Sequence, residues 1–338
     1  MPARLALPGF VNAHSHAFQR GLRGRVEGGD FWEWRASMLD QARVQTPSRV
    51  RHEYVATFRE MRAAGYTAVG EFHYLGLEEA RAARAAAEEA GMEVVLLYVA
   101  YGRGGIERFR QESVSAYFRD VEALREEGVR VGLAPHSVRA CPRDWLEEIG
   151  RQAERDGLVL HVHADEQPGE IEECVAEHGL RPLELLADAG CLGPRTTVVH
   201  ATHADDRELD LLAATETRVC LCLTTEANLG DGFPPLHGLL ERGIRLCIGS
   251  DSNVRIDPFE ELRELEGIGR RQALRRNVIP PERLLEVGQA EGAAALGLAD
   301  WPGIEVDLAH PSLRAVAPDE ARAALVFGCG ADVVVPAL

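Results

Sequence analysis

The feature that most constrains this chain is a recurrence. Eight apolar, β-branched runs occur at intervals: Leu5 to Val11, Tyr66 to Phe72, Met92 to Val99, Val129 to Ala134, Leu158 to Val162, Thr196 to Val199, Arg218 to Leu223 and Arg245 to Ile248. Between them lie segments of helical pattern: Glu78 to Ala90, Ala116 to Glu127, Asp144 to Asp156, Arg207 to Ala214 and Pro235 to Arg242. Several run into a glycine (Gly91, Gly128, Gly157, Gly243), the residue that most easily ends a helix. Strands that are apolar throughout, rather than alternating, are buried on both faces, which calls for a parallel sheet covered by helices. Eight such units predict an α/β fold of the (β/α)8 TIM-barrel type, expected over residues 5–298. The segment Gly21 to Arg51, rich in Gly, Arg and Trp, is expected to cover the mouth of the first strand as a loop plus a helix. After Leu298 the pattern weakens, and Ile304 to Val306 and Ala331 to Val335 read as short strands outside the barrel. Residues 1–4 and 299–338 are expected to form the remnant of a small β-sandwich domain.

Composition removes several classes of function. A net charge of −17 argues against nucleic acid, which rewards basic patches. No apolar run approaches the ~20 residues of a membrane span. The start, Met1-Pro2-Ala3-Arg4-Leu5, lacks a signal-peptide layout, so a cytoplasmic protein is expected. The seven cysteines are odd in number and contain no Cys-x-x-Cys pair, which argues against a disulfide framework. Cys220 and Cys222 share a strand face and suit either a thiolate metal site or small apolar packing, the more common outcome. All 37 basic residues are arginine. The missing lysine excludes a Schiff base, a P-loop lysine and a carbamylated lysine bridging two metals.

Polar residues follow the apolar runs in a pattern. After the first come His14 and His16, after the fifth His163 and Glu166, after the sixth His200, after the eighth Asp251. His at i and i+2 on an extended strand share one face, so both imidazoles reach one ion. In a parallel barrel all these strand ends meet at one mouth, where sites of this fold are built. Singly, His200 could be a core histidine, Asp251 a helix N-cap and Glu166 part of a solvated helix face; their joint placement points to a site. His14, His16, His163 and Asp251 are the expected ligands, and three imidazoles with one carboxylate suit Zn2+ or Fe2+. Without a bridging lysine, one ion is the natural count. Such an ion lowers the pKa of water towards ~7. Glu166 is placed to move the water's proton, His200 to stabilise the tetrahedral centre, and Asp251 to orient the same water.

These residues resemble the amidohydrolase superfamily, in its mononuclear deaminase branch, from Pro8 to about Gly297. Longer strings narrow the likeness. His14-Ser15-His16-Ala17-Phe18-Gln19-Arg20, Phe31-Trp32-Glu33-Trp34-Arg35, Gly70-Glu71-Phe72-His73-Tyr74 and Thr225-Glu226-Ala227-Asn228-Leu229-Gly230-Asp231-Gly232 resemble the formimidoylglutamate deiminases of histidine degradation. The resemblance implies conversion of N-formimino-L-glutamate and water to N-formyl-L-glutamate and ammonia. It implies zinc on the four ligands, catalytic roles for Glu166 and His200, and substrate contacts from Gln19, Arg35, Tyr74, His136 and Arg139. A homodimer acting on this small anionic substrate is expected. Arginine suits the two carboxylates, and Arg139, close behind His136 after the fourth run, is the stronger of the two arginine candidates. Tyr74 fits a carboxylate contact or a lid equally well.

The chain also departs from the family pattern. Asn253 stands in place of a histidine and Leu223 in place of a proline, and the accessory β-sandwich is expected to be reduced or absent. Two other readings stay open: a related aminohydrolase acting on a purine, pyrimidine or pterin, and a non-catalytic metal-binding barrel.

Overall fold

The computed structural model describes residues 4–317 and 319–335. Its strands are β1 (Arg4–Pro8), β2 (Phe10–Ser15), β3 (Tyr66–His73), β4 (Glu93–Ala100), β5 (Val131–Pro135), β6 (Leu160–Ala164), β7 (Thr196–His200), β8 (Arg218–Leu221), β9 (Leu246–Ile248), β10 (Gly303–Asp307) and β11 (Val334–Val335). Strands β2 to β9 pair in sequence order, all parallel. Their residues are buried almost without exception, as expected of strands with side chains in the barrel interior on one face and under helices on the other. The seam between β9 and β2 is closed just past the strand ends by a parallel bridge between Ser15 and Asp251. There the Asp251 N–H donates to the His14 carbonyl at 3.0 Å and the His16 N–H to the Asp251 carbonyl at 2.8 Å. The fold is a (β/α)8 barrel.

The expected helices are present as Leu77–Ala90, Val114–Glu126, Arg143–Asp156, Asp206–Ala214 and Leu236–Glu241. The segment after β2 is richer than a loop plus one helix. A 3-10 turn, Ala17–Leu22, is followed by helix Phe31–Arg43 and then by helix Pro47–Ala64, which covers the outside of the sheet. Asp30 starts the first of these helices, its carboxylate accepting from the N–H groups of Trp32 and Glu33 at 2.9 and 3.0 Å.

One expectation requires correction. The run Leu5 to Val11 is not one barrel strand: Arg4–Pro8 pairs antiparallel with β10, and the barrel strand begins at Phe10. The break is Gly9. Its N–H donates to the Pro302 carbonyl at 3.2 Å, and a Cβ there would overlap Thr67 and Pro302. Only glycine lets the chain pass so close while changing sheets. Strands β1, β10 and β11 form a three-stranded sheet in the order β1-β10-β11. The accessory sheet is therefore small but present, and its expected residues 1–3, 318 and 336–338 lie outside the described residues.

All seven cysteines are free and buried. Cys220, Cys222 and Cys247 pack with Ala13, Val199 and Ala295 inside the barrel. Burial pushes the thiols of all three well up, away from the thiolate form a metal ligand needs. Their role is packing. No helix among the described residues is long and apolar enough to cross a membrane.

Candidate active site

The ends of β2, β6 and β9 bring His14, His16, His163 and Asp251 together as four buried residues with donor atoms within 4.8 Å of one another. His14 Nε2 lies 3.1 Å from Nε2 of both His16 and His163. Asp251 Oδ1 lies 3.4 Å from His14 Nε2 and 3.2 Å from His16 Nε2. Ligands placed about 2.0–2.1 Å from one tetrahedral zinc stand roughly 3.3–3.4 Å apart, so this spacing fits a single ion. Two of the rings are oriented from behind: His16 Nδ1 is 3.1 Å from the Phe72 carbonyl and His163 Nδ1 is 3.0 Å from that of His136. A proton on each Nδ1 leaves Nε2 free to bind metal. Burial holds His14 down at about 3 and His163 well below the usual imidazole range, so both rings stay neutral. Burial alone would raise Asp251, but its close approach to the His14 and His16 rings, with His200 nearby, outweighs burial and holds the carboxyl well below its usual range. Neutral imidazoles around an anion are the form in which a divalent cation is bound.

Above this cluster opens a cavity at the barrel mouth. Every expected site residue lines it except His14, which is fully buried beneath. Glu166 and His200 face each other, Oε1 to Nε2 at 3.7 Å. Burial raises the Glu166 carboxyl against the opposing pull of His200 and Arg139. Burial would lower His200, but Glu166, Glu226 and Asp251 together lift it to about 10.

The expected substrate contacts divide into two kinds. Gln19 donates to the Tyr74 hydroxyl at 2.9 Å, and His136 lies between Tyr74 and Tyr101 with ring centroids 5.6 and 4.8 Å away. These are packed wall residues with polar atoms at the cavity. The arginines differ from one another. Arg139 is held by two carboxylates, Glu166 at 3.6 Å and the fully buried Glu170 at 3.4 Å. Arg35, on helix Phe31–Arg43, lines the same cavity and has no carboxylate within ion-pair distance among the described residues.

The amidohydrolase family model matches residues 5–306. The chain belongs to that family. It is 37% identical over 331 residues to the formimidoylglutamate deiminase of Pseudomonas aeruginosa, covering 86% of this chain and 72% of that protein. It is 31% identical over 323 residues to a 5-methylthioadenosine/S-adenosylhomocysteine deaminase of Haloarcula marismortui, covering 90% and 74%. The crystal structure of an amidohydrolase from Brucella melitensis superposes with a TM-score of 0.86 at 32% identity, over 97% of this chain and 84% of that one.

Against this amidohydrolase frame, the residues missed from sequence stand out. Tyr101 and Phe109 wall the cavity beside Phe31 and Trp34. Tyr101 directly follows β4, so the rule that located His200 would have located it too. Glu170 lies one helical turn past Glu166 and accepts from the Glu166 N–H at 3.2 Å. Asn253 stands in a buried network: its amide donates to Ser15 Oγ at 3.1 Å and accepts from Ser250 Oγ at 2.6 Å, while Asn12 donates to Ser250 Oγ at 2.6 Å. This network surrounds the position at which the sequence resemblance led to the expectation of a histidine.

Proposed function

We propose that this amidohydrolase hydrolyses the formimino group of N-formimino-L-glutamate, giving N-formyl-L-glutamate and ammonia. What supports the substrate is Arg35: a guanidinium without a carboxylate partner among the described residues, in the same cavity as Arg139 and the residues of the buried cluster. A dicarboxylate whose reactive end sits over the cluster would engage both arginines through charge-assisted hydrogen bonds. The likeness to the Pseudomonas deiminase agrees.

His14, His16, His163 and Asp251 would hold one divalent ion, zinc by donor set or Fe2+ in its stead. When bound, it makes water acidic enough to supply a nucleophile near neutral pH. Glu166 takes one proton of the attacking water and delivers it to the amidine nitrogen; as the carbonyl forms, the adduct's hydroxyl proton passes the same way, and the nitrogen leaves as ammonia. His200, with Nε2 facing the same point, stabilises the oxygen of the tetrahedral adduct. Asp251 orients the water. Gln19, Tyr74 and His136 complete the substrate's surroundings. No covalent intermediate with the chain is needed.

A second reading, deamination of a purine nucleoside, is favoured by the aromatic wall of Phe31, Trp34, Tyr101 and Phe109, which suits a flat ring, and by the likeness to the Haloarcula deaminase. Ammonia release from formiminoglutamate, cytosine, guanine and adenosine by zinc-loaded protein separates the two. Turnover of formiminoglutamate is expected. Turnover of a base or nucleoside instead overturns the first reading, and release from none of them with metal bound returns the chain to a non-catalytic barrel. In Glu166→Gln, metal content is expected to hold while kcat falls about 10²–10⁴-fold.

A further inference from the structure

One buried acid has no part in these roles. Glu226 sits on the short helix Leu223–Leu229 just past β8 and is 1% exposed. Its Oε1 accepts from the Cys222 N–H at 2.9 Å and lies 3.2 Å from His200 Nδ1. Its Oε2 is buried with no protein partner among the described residues. Glu226 does not line the cavity, so it does not touch a molecule bound there. The opposite ring nitrogen of His200, Nε2, is the one turned to Glu166.

A carboxylate oxygen only accepts, so the proton between the two must be on His200 Nδ1. We infer that Glu226 is a positioning residue for His200. It anchors the ring by its Nδ1–H and fixes its angle, so that Nε2 meets the reacting centre beside Glu166 rather than turning away. The alternative is a purely structural Glu226 that closes the turn at Cys222 and leaves the ring indifferent. This role rests on the hydrolytic reading of the site, but not on which substrate is hydrolysed.

Two variants separate these possibilities. In Glu226→Gln, the Cys222 N–H still requires an acceptor, so the amide oxygen takes the Oε1 position and Nδ1–H keeps its partner while the charge is lost. In Glu226→Leu both are lost. Ring 15N spectra of histidine-labelled, zinc-loaded protein, with His200 assigned from His200→Gln, read the proton directly. The expected result is a protonated Nδ1 in the wild type and in Glu226→Gln, and its loss in Glu226→Leu. Kinetically, Glu226→Leu is expected to lower kcat about 10²-fold or more with KM and zinc content near wild type, and Glu226→Gln to lower it less. An unchanged ring spectrum in Glu226→Leu overturns the role, as does an unchanged kcat. If Glu226→Leu does not fold, Glu226→Ala takes its place, and an unchanged ring spectrum or an unchanged kcat there overturns the role. The ring readout needs no substrate, so it stands or falls separately from the assignment of formiminoglutamate.

Discussion

The two ends of the barrel both use left-handed backbone, and they fill it with different residues. At the base, Gly65, Gly91 and Gly157, with φ of 101°, 66° and 64°, end the helices that lead into β3, β4 and β6. At the mouth the same region is held by Asp165, His200, Ala201, Asp251 and Asn253, with φ of 54°, 76°, 52°, 42° and 58°. Glycine adopts it freely, whereas an L side chain costs about 1–2 kcal/mol, somewhat less for Asp and Asn. Among the described turns that lead into barrel strands, one departs from the rule, Glu216 ahead of β8, φ 55°. The difference teaches where this fold accepts strain. At the base the turn itself is all that is required. At the mouth the turn must also carry a carboxylate, an imidazole or an amide, and the surrounding hydrogen bonds hold it in place.

Glycine substitutions at the mouth and an alanine at the base test that contrast. The largest effect is expected for Asp251→Gly. The backbone relaxes, yet zinc affinity, read by metal titration, falls more than about 100-fold, because residues that merely orient a ligand already contribute 10–100-fold. Full affinity in this variant would remove Asp251 from the ligand set. Asn253→Gly is next. It removes the bonds to Ser15 and from Ser250, together with the 3.0 Å bond to the Asp251 carbonyl; zinc binding should weaken about 10–100-fold. Gly91→Ala at the base should lower unfolding free energy by about 1–2 kcal/mol in denaturant titration and leave kcat and KM unchanged. A Cβ there meets nothing within 4 Å, so the effect is conformational alone. The smallest shift is for Ala201→Gly. Relief of about 1–2 kcal/mol is offset by the greater freedom of the unfolded chain, about 0.4–1 kcal/mol, leaving a net gain of roughly 0–1.6 kcal/mol with activity kept. If Ala201→Gly destabilises instead, the mouth turn is not under strain.

The parts of the molecule readable from sequence are those whose signal is local. The barrel strands are continuous apolar runs, and the four residues of the buried cluster follow them directly, so periodicity and position sufficed to bring them together. The run Leu5 to Val11 misled because a change of sheet leaves no mark in hydrophobicity; only the crowding of Gly9 by Thr67 and Pro302 reveals it. Arg139 was reachable from its place behind a strand, but its two carboxylate partners lie on another element and were not. Glu226 lay within a quoted string, yet its contact with His200 joins the ends of two different strands. Asn253 looked like a substitution without compensation until Asn12, Ser15 and Ser250 were seen around it.

The seam between β9 and β2 has a consequence for assembly of the chain. Residues meeting there, such as Asn12 with Ser250, are 238 positions apart, and outside the amide network the join is one backbone bridge. The ligand cluster straddles it, His14 and His16 on one side and Asp251 on the other. A cation bound to all three is therefore also a rivet, fastening the first strand to the last. Its binding free energy would become folding free energy at a join between residues 238 positions apart in the chain.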